Sequence, residues 1–142
     1  MKVIFIPLFK KANSLILLVK IFALNLIDEK TSFDGLNVIC VTSGSAALVI
    51  SLLAANIKPG DEVLIPNYTW IATAHAVKLI GAKPILIDVE KNKPLIDVNL
   101  VEKNITKKTK AIIPVHLNGR SANMILLKKI AKKYNLFIIE DC

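Results

Sequence analysis

Scarcity bounds this sequence before any motif does. Two cysteines, Cys40 and Cys142, in 142 residues exclude a disulfide framework and a four-cysteine zinc site. Five glycines and six prolines exclude collagen-like and low-complexity chains. Arg120 is the one arginine and aromatics make up 6% of residues, so the usual means of gripping nucleic acid are thin despite a net charge of +8. No apolar run reaches the roughly 20 residues that span a bilayer. The expected compartment is cytoplasmic, with neither nucleic acid nor membrane as partner.

What is present is a core. At 54% hydrophobic the chain is not disordered, and its length suits one domain. The lysines cluster. Lys128, Lys129, Lys132 and Lys133 fall at helical spacing opposite Ile125, Leu126, Ile130 and Ala131, the pattern of a solvated helix face. Residues 1–36 form an atypical apolar segment. Within it Leu15 to Ile27 is broken only by Lys20 and Asn25 and reads as a packing helix, since it makes a poor signal peptide.

From Asn37 onward the pattern becomes regular. Apolar runs at 37–42, 62–65, 84–89, 110–115 and 136–140 read as strands. Helical patterns at 46–56, 69–80, 98–104 and 123–134 lie between them. Such alternation predicts an α/β fold, a mainly parallel sheet with helices on both faces, occupying 37–142 as one domain. Ligands in such sheets sit at the carboxyl ends of the strands.

The residues at those ends are chemically varied. Ser43-Gly44-Ser45-Ala46 joins a strand to a helix N-terminus, where backbone N–H groups can hold a phosphate, although these four residues alone favour Ser45 as only an N-cap. It is neither a dinucleotide nor an ATP-type phosphate loop. Trp70, the single tryptophan, is either core or a face for a planar ligand. Glu140 and Asp141 point to opposite faces of a strand, so one carboxylate can face the rim while the other holds a neighbouring element. His75 and His116 have no partner at zinc-ligand spacing.

Taken in order, the stretches 41–48 (VTSGSAAL), 58–73 (KPGDEVLIPNYTWIAT), 77–89 (VKLIGAKPILIDV), 103–119 (KNITKKTKAIIPVHLNG) and 130–142 (IAKKYNLFIIEDC) resemble the DegT/DnrJ/StrS family of pyridoxal-phosphate sugar aminotransferases. The resemblance implies the first part of the fold type I large domain, with pyridoxal 5'-phosphate as cofactor. It also implies roles. Ser45 and Ala46 match positions that bind the cofactor phosphate, Trp70 the aromatic that stacks on the pyridine ring, and Asp141 the carboxylate that pairs with the ring nitrogen.

For the complete enzyme the resemblance implies amino transfer from an amino acid, glutamate, to a nucleotide-linked keto sugar, within a homodimer and in surface polysaccharide synthesis. The sequence also departs from the family. None of its lysines stands in the motif that forms the Schiff base, so no catalytic residue is assigned, and the chain is expected to be an N-terminal piece inactive alone. Ser121 and Asn123 replace residues common in the family. A sugar dehydratase of the same family, or a non-catalytic α/β binding module, remains an alternative.

Overall fold

Strands form here where apolar runs meet turn residues at both ends. The computed structural model describes residues 3–4, 18–21 and 38–142. In chain order the elements are β1 (Val3–Ile4), β2 (Leu18–Ile21), β3 (Val38–Val41), α1 (Gly44–Ala54), β4 (Glu62–Pro66), α2 (Ala72–Leu79) and β5 (Lys83–Ile87). They continue with α3 (Val98–Val101), a 3-10 turn at Glu102–Asn104, β6 (Thr109–Ile112), α4 (Met124–Tyr134) and β7 (Phe137–Ile138). No helix among the described residues is long and apolar enough to cross a membrane.

The larger sheet has the order β5-β4-β6-β7, and every neighbouring pair in it is parallel. All five residues of β4 are buried, which is why an unbroken apolar run follows Glu62 rather than alternation. Alternate residues serve opposite faces. Val63, Ile65, Ala111 and Ile113 pack with Leu48 and Leu52 of α1 and Ala76 and Val77 of α2. Leu64, Ile112 and Ile138 pack with Val98 and Val101 of α3 and Leu127 and Ala131 of α4. Each large side chain so buried contributes about 1.5–3 kcal/mol. The result is helix, sheet and helix in three layers.

Two expectations need correction. The run at 37–42 yields a strand, β3, but it pairs with β2 in a second sheet of order β1-β2-β3 instead of joining the larger one. An apolar run specifies that a segment will pair, not with which partner. The packing helix expected over 15–27 is also wrong where it is described, because Leu18–Ile21 is a strand parallel to β3. A short apolar run fits either state by periodicity alone. The rest of that helix, and most of the 1–36 segment, lie outside the described residues.

On α4 the lysine face is solvated as expected, with Lys128, Lys129, Lys132 and Lys133 all exposed. The opposite face is rotated from the expected one. Leu127 and Ala131 are buried, whereas Ile125 is 73% exposed and Leu126 41%. The buried stripe starts at Met124 and runs through Leu127, Ile130 and Ala131, the spacing of one helical face. Helix α2 starts at Ala72, three residues after the expected Thr69, because 67–70 is a turn that carries Trp70 out past the end of β4.

Candidate functional site

The strand order reverses beside β4: the chain passes from β4 outward to β5, then returns to place β6 on the other side. A crevice opens at such a switch point, outside the carboxyl ends of the strands. Here it is a cleft of about 470 Å³, within the range of small-molecule and cofactor sites. Ser45, Trp70, Thr73, His116, Asn118 and Asp141 are among its lining residues.

Ser43, not Ser45, caps α1. Its backbone is extended (φ −160°, ψ 163°), and its Oγ accepts from the Ala46 N–H at 3.1 Å. That leaves Gly44 and Ser45 in the first turn, where backbone N–H groups have no acceptor within the helix, and both residues line the cleft. Ala46 is not among its lining residues, and its N–H is engaged by the cap. Of the four residues singled out in the sequence, the structure brings Ser45, Trp70 and Asp141 to one cleft, and Ala46 is not in its lining.

Trp70 is 74% exposed, so the reading of it as a core residue does not hold. On the far wall the β6–β7 ladder runs past Pro114, which has no N–H to give. Pro114 instead accepts from the Asp141 N–H at 3.0 Å, and the His116 N–H donates to the Asp141 carbonyl at 2.7 Å. The backbone of Asp141 is therefore fixed on both sides. Its Oδ2 accepts from the Thr73 hydroxyl at 2.8 Å.

Glu140 turns the other way, as alternation along a strand requires. Its Oε2 lies 3.0 Å from His116 Nε2. The loop beyond His116 bends at Asn118 (φ 54°) and Gly119 (φ 74°), closed by the Arg120 N–H donating to the Leu117 carbonyl at 3.1 Å. Two successive positive φ values explain the Asn-Gly pair, the residues that adopt them most readily. The cleft lining contains Asp141 but no lysine or arginine among the described residues. An anion here would rely on N–H groups and hydroxyls. No group of three or more His, Cys, Asp or Glu side chains among the described residues could hold a metal ion.

Thr73 and the 117–119 loop were missed in the sequence. Thr73 had a signal: it stands with Ala76 and Val77 at i, i+3 and i+4, a polar residue on the buried stripe of α2. The loop had none beyond its Asn-Gly pair.

The family model described as the DegT/DnrJ/EryC1/StrS aminotransferase family matches residues 32–142. The chain belongs to that family. It is 47% identical over 100 residues to a UDP-N-acetyl-3-dehydro-alpha-D-glucosamine 3-aminotransferase of Acidithiobacillus ferrooxidans, covering 70% of this chain and 27% of that one. It is 45% identical over 102 residues to a GDP-perosamine synthase of Escherichia coli O157:H7, covering 72% and 28%. Among solved structures, NtdA from Bacillus subtilis with bound cofactor PMP superposes with a TM-score of 0.69 at 42% identity, over 70% of this chain and 23% of that one. This family member thus spans about a quarter of the length of the curated relatives it matches.

Proposed function

We propose that the cleft binds pyridoxal 5'-phosphate and that the chain forms the cofactor-holding part of an aminotransferase acting on a nucleotide-linked keto sugar. One observation carries this reading: Ser45, Trp70 and Asp141, from three separate segments, line the same cleft. The donor set fits the cofactor. The first-turn N–H groups of Gly44 and Ser45, with the Ser45 hydroxyl, would hold the phosphate. The exposed indole of Trp70 would lie against the ring, and Asp141 would face the ring nitrogen.

When bound, the cofactor supplies an electron sink for the substrate's bonding pair. The protein's part is to bind, orient and keep a proton in place. A carboxylate beside the ring nitrogen favours its protonated form by about 1–3 pKa units. Without a cationic side chain in the lining, the phosphate would be held by directed N–H bonds and the helix dipole, a term of about 0.3–2 kcal/mol. The names of the two relatives and the PMP-bound structure support the substrate class and the cofactor. The reading carries with it glutamate as amino donor, a homodimer, a cytoplasmic setting and a product used in surface polysaccharide.

The test is a titration of the 142-residue chain with pyridoxal 5'-phosphate, followed by cofactor absorbance and Trp70 emission. Saturable binding is expected, weakened about tenfold or more by Asp141→Asn, which removes a charge-assisted bond, and a few-fold by Ser45→Ala. Binding indifferent to both substitutions would overturn the reading in favour of a non-catalytic module.

A further inference from the structure

Two hydroxyls are buried in the helices on one side of the sheet, and they are satisfied in different ways. Ser51 on α1 donates to the Ala47 carbonyl at 2.7 Å, the back-bond to the preceding turn common for a helical hydroxyl. Thr73 on α2, 1% exposed, does not take that option. It donates instead to Asp141 Oδ2 at 2.8 Å, across 68 residues of chain. Its single proton being committed there, Thr69 must be the donor in the long 3.4 Å contact between Thr69 Oγ1 and Thr73 Oγ1.

We propose that Thr73 is a positioning residue: its hydroxyl sets the rotation of the Asp141 carboxylate and holds it as the anion that faces the ring nitrogen. The proposal rests on the cofactor reading above. A carboxylate on a fixed backbone still turns about its last torsion, a broad and roughly two-fold barrier. A buried donor on one oxygen removes that freedom. A hydrogen bond to the charged form also favours that form, and Thr69 polarises the Thr73 hydroxyl further. Among the described residues, the titratable groups near Asp141 include His116 and Glu140, held to each other, and the adjacent Cys142.

The experiment uses the full chain with pyridoxamine 5'-phosphate labelled with nitrogen-15 in the ring, the amine form needing no lysine to bind. The pH at which the ring nitrogen loses its proton is read from its chemical shift. In the wild type it should lie above that of free pyridoxamine phosphate. Thr73→Val should lower it by about one pH unit, a tenfold loss in proton affinity, and Thr73→Ser should restore it. Should Thr73→Val fail to fold, Thr73→Cys keeps the volume with a weaker donor and is read the same way. A Thr73→Val chain that titrates like wild type, while Asp141→Asn loses the proton early, overturns the positioning role and leaves the cofactor reading intact. If Asp141→Asn also titrates like wild type, the cofactor reading fails and the role of Thr73 falls with it.

Discussion

His116 and Glu140 meet at 3.0 Å, Nε2 to Oε2, where the chain leaves β6 and β7. The Ala122 N–H donates to Nδ1 of the same ring at 3.1 Å, which requires a lone pair there. In the neutral ring the proton is therefore on Nε2, donated to Glu140. Both side chains are mostly buried, at 15% and 17% exposure. One imidazole thus joins the end of β6, the approach to α4 and the residue beside Asp141.

Removing that ring should cost stability. His116→Ala leaves the Ala122 N–H and the Glu140 carboxylate without their partner, and the expected loss is about 1–3 kcal/mol. Glu140→Gln keeps an acceptor for Nε2 and should cost less. Equilibrium urea unfolding measures both, and an unchanged midpoint in His116→Ala would show the ring to be idle.

The turns before β4 and β5 offer a cleaner comparison. Gly81 has φ +78°, and a Cβ there would stand 3.0 Å from Pro59 Cβ and 3.1 Å from Pro59 Cγ. Gly60 has φ +87° with nothing within 4 Å. Both positions carry the left-handed backbone cost of about 1–3 kcal/mol for an alanine. Only Gly81→Ala adds a clash. It should lower the melting temperature further than Gly60→Ala, and equal losses would remove the steric part of the argument.

Sequence and structure agree where a residue's environment is local. The strand positions of β4, β6 and β7 and the solvated lysines of α4 follow from apolar runs and spacing, because burial imposes those patterns directly. The partner of β3 did not follow, since pairing depends on segments distant in the chain. Asp141 was legible at the cleft because the strand ends of a parallel sheet point to one rim, whereas Ser45 follows a strand of the other sheet and reaches the cleft through the first turn of α1. Ser43 as the cap was not, because two serines flank Gly44 and either can reach an N–H. Thr73 acts only through Asp141, a contact made by folding alone.

At the surface, Lys133 donates to Glu102 Oε1, and the Tyr134 hydroxyl donates to the same oxygen. The Lys133 ammonium first, then the Tyr134 hydroxyl, hold the Glu102 carboxyl below its ordinary value. The bond to Glu102 in turn raises Lys133. A lowered carboxylate contributes stability above its unfolded pKa and loses it as pH falls through the folded one. A raised lysine contributes below its unfolded pKa and loses that as pH rises through the folded one. The melting difference between wild type and Glu102→Gln should therefore be widest between the two and shrink at either extreme, and with added salt. A difference constant across that range would show the three groups to be uncoupled.

Trp70 should separate binding from folding. With 74% of its surface exposed it contributes little to the core, so Trp70→Ala should change stability by no more than about 0.5 kcal/mol. Stacking on a planar ring is worth about 0.5–1.5 kcal/mol beyond burial, so the same change should weaken pyridoxal phosphate binding by up to about tenfold. Trp70→Phe keeps a smaller face and should fall between. Calorimetric titration gives the affinities and thermal melting the stabilities. An affinity untouched by Trp70→Ala would remove the ring-facing role, and a large fall in melting temperature would return Trp70 to a structural one.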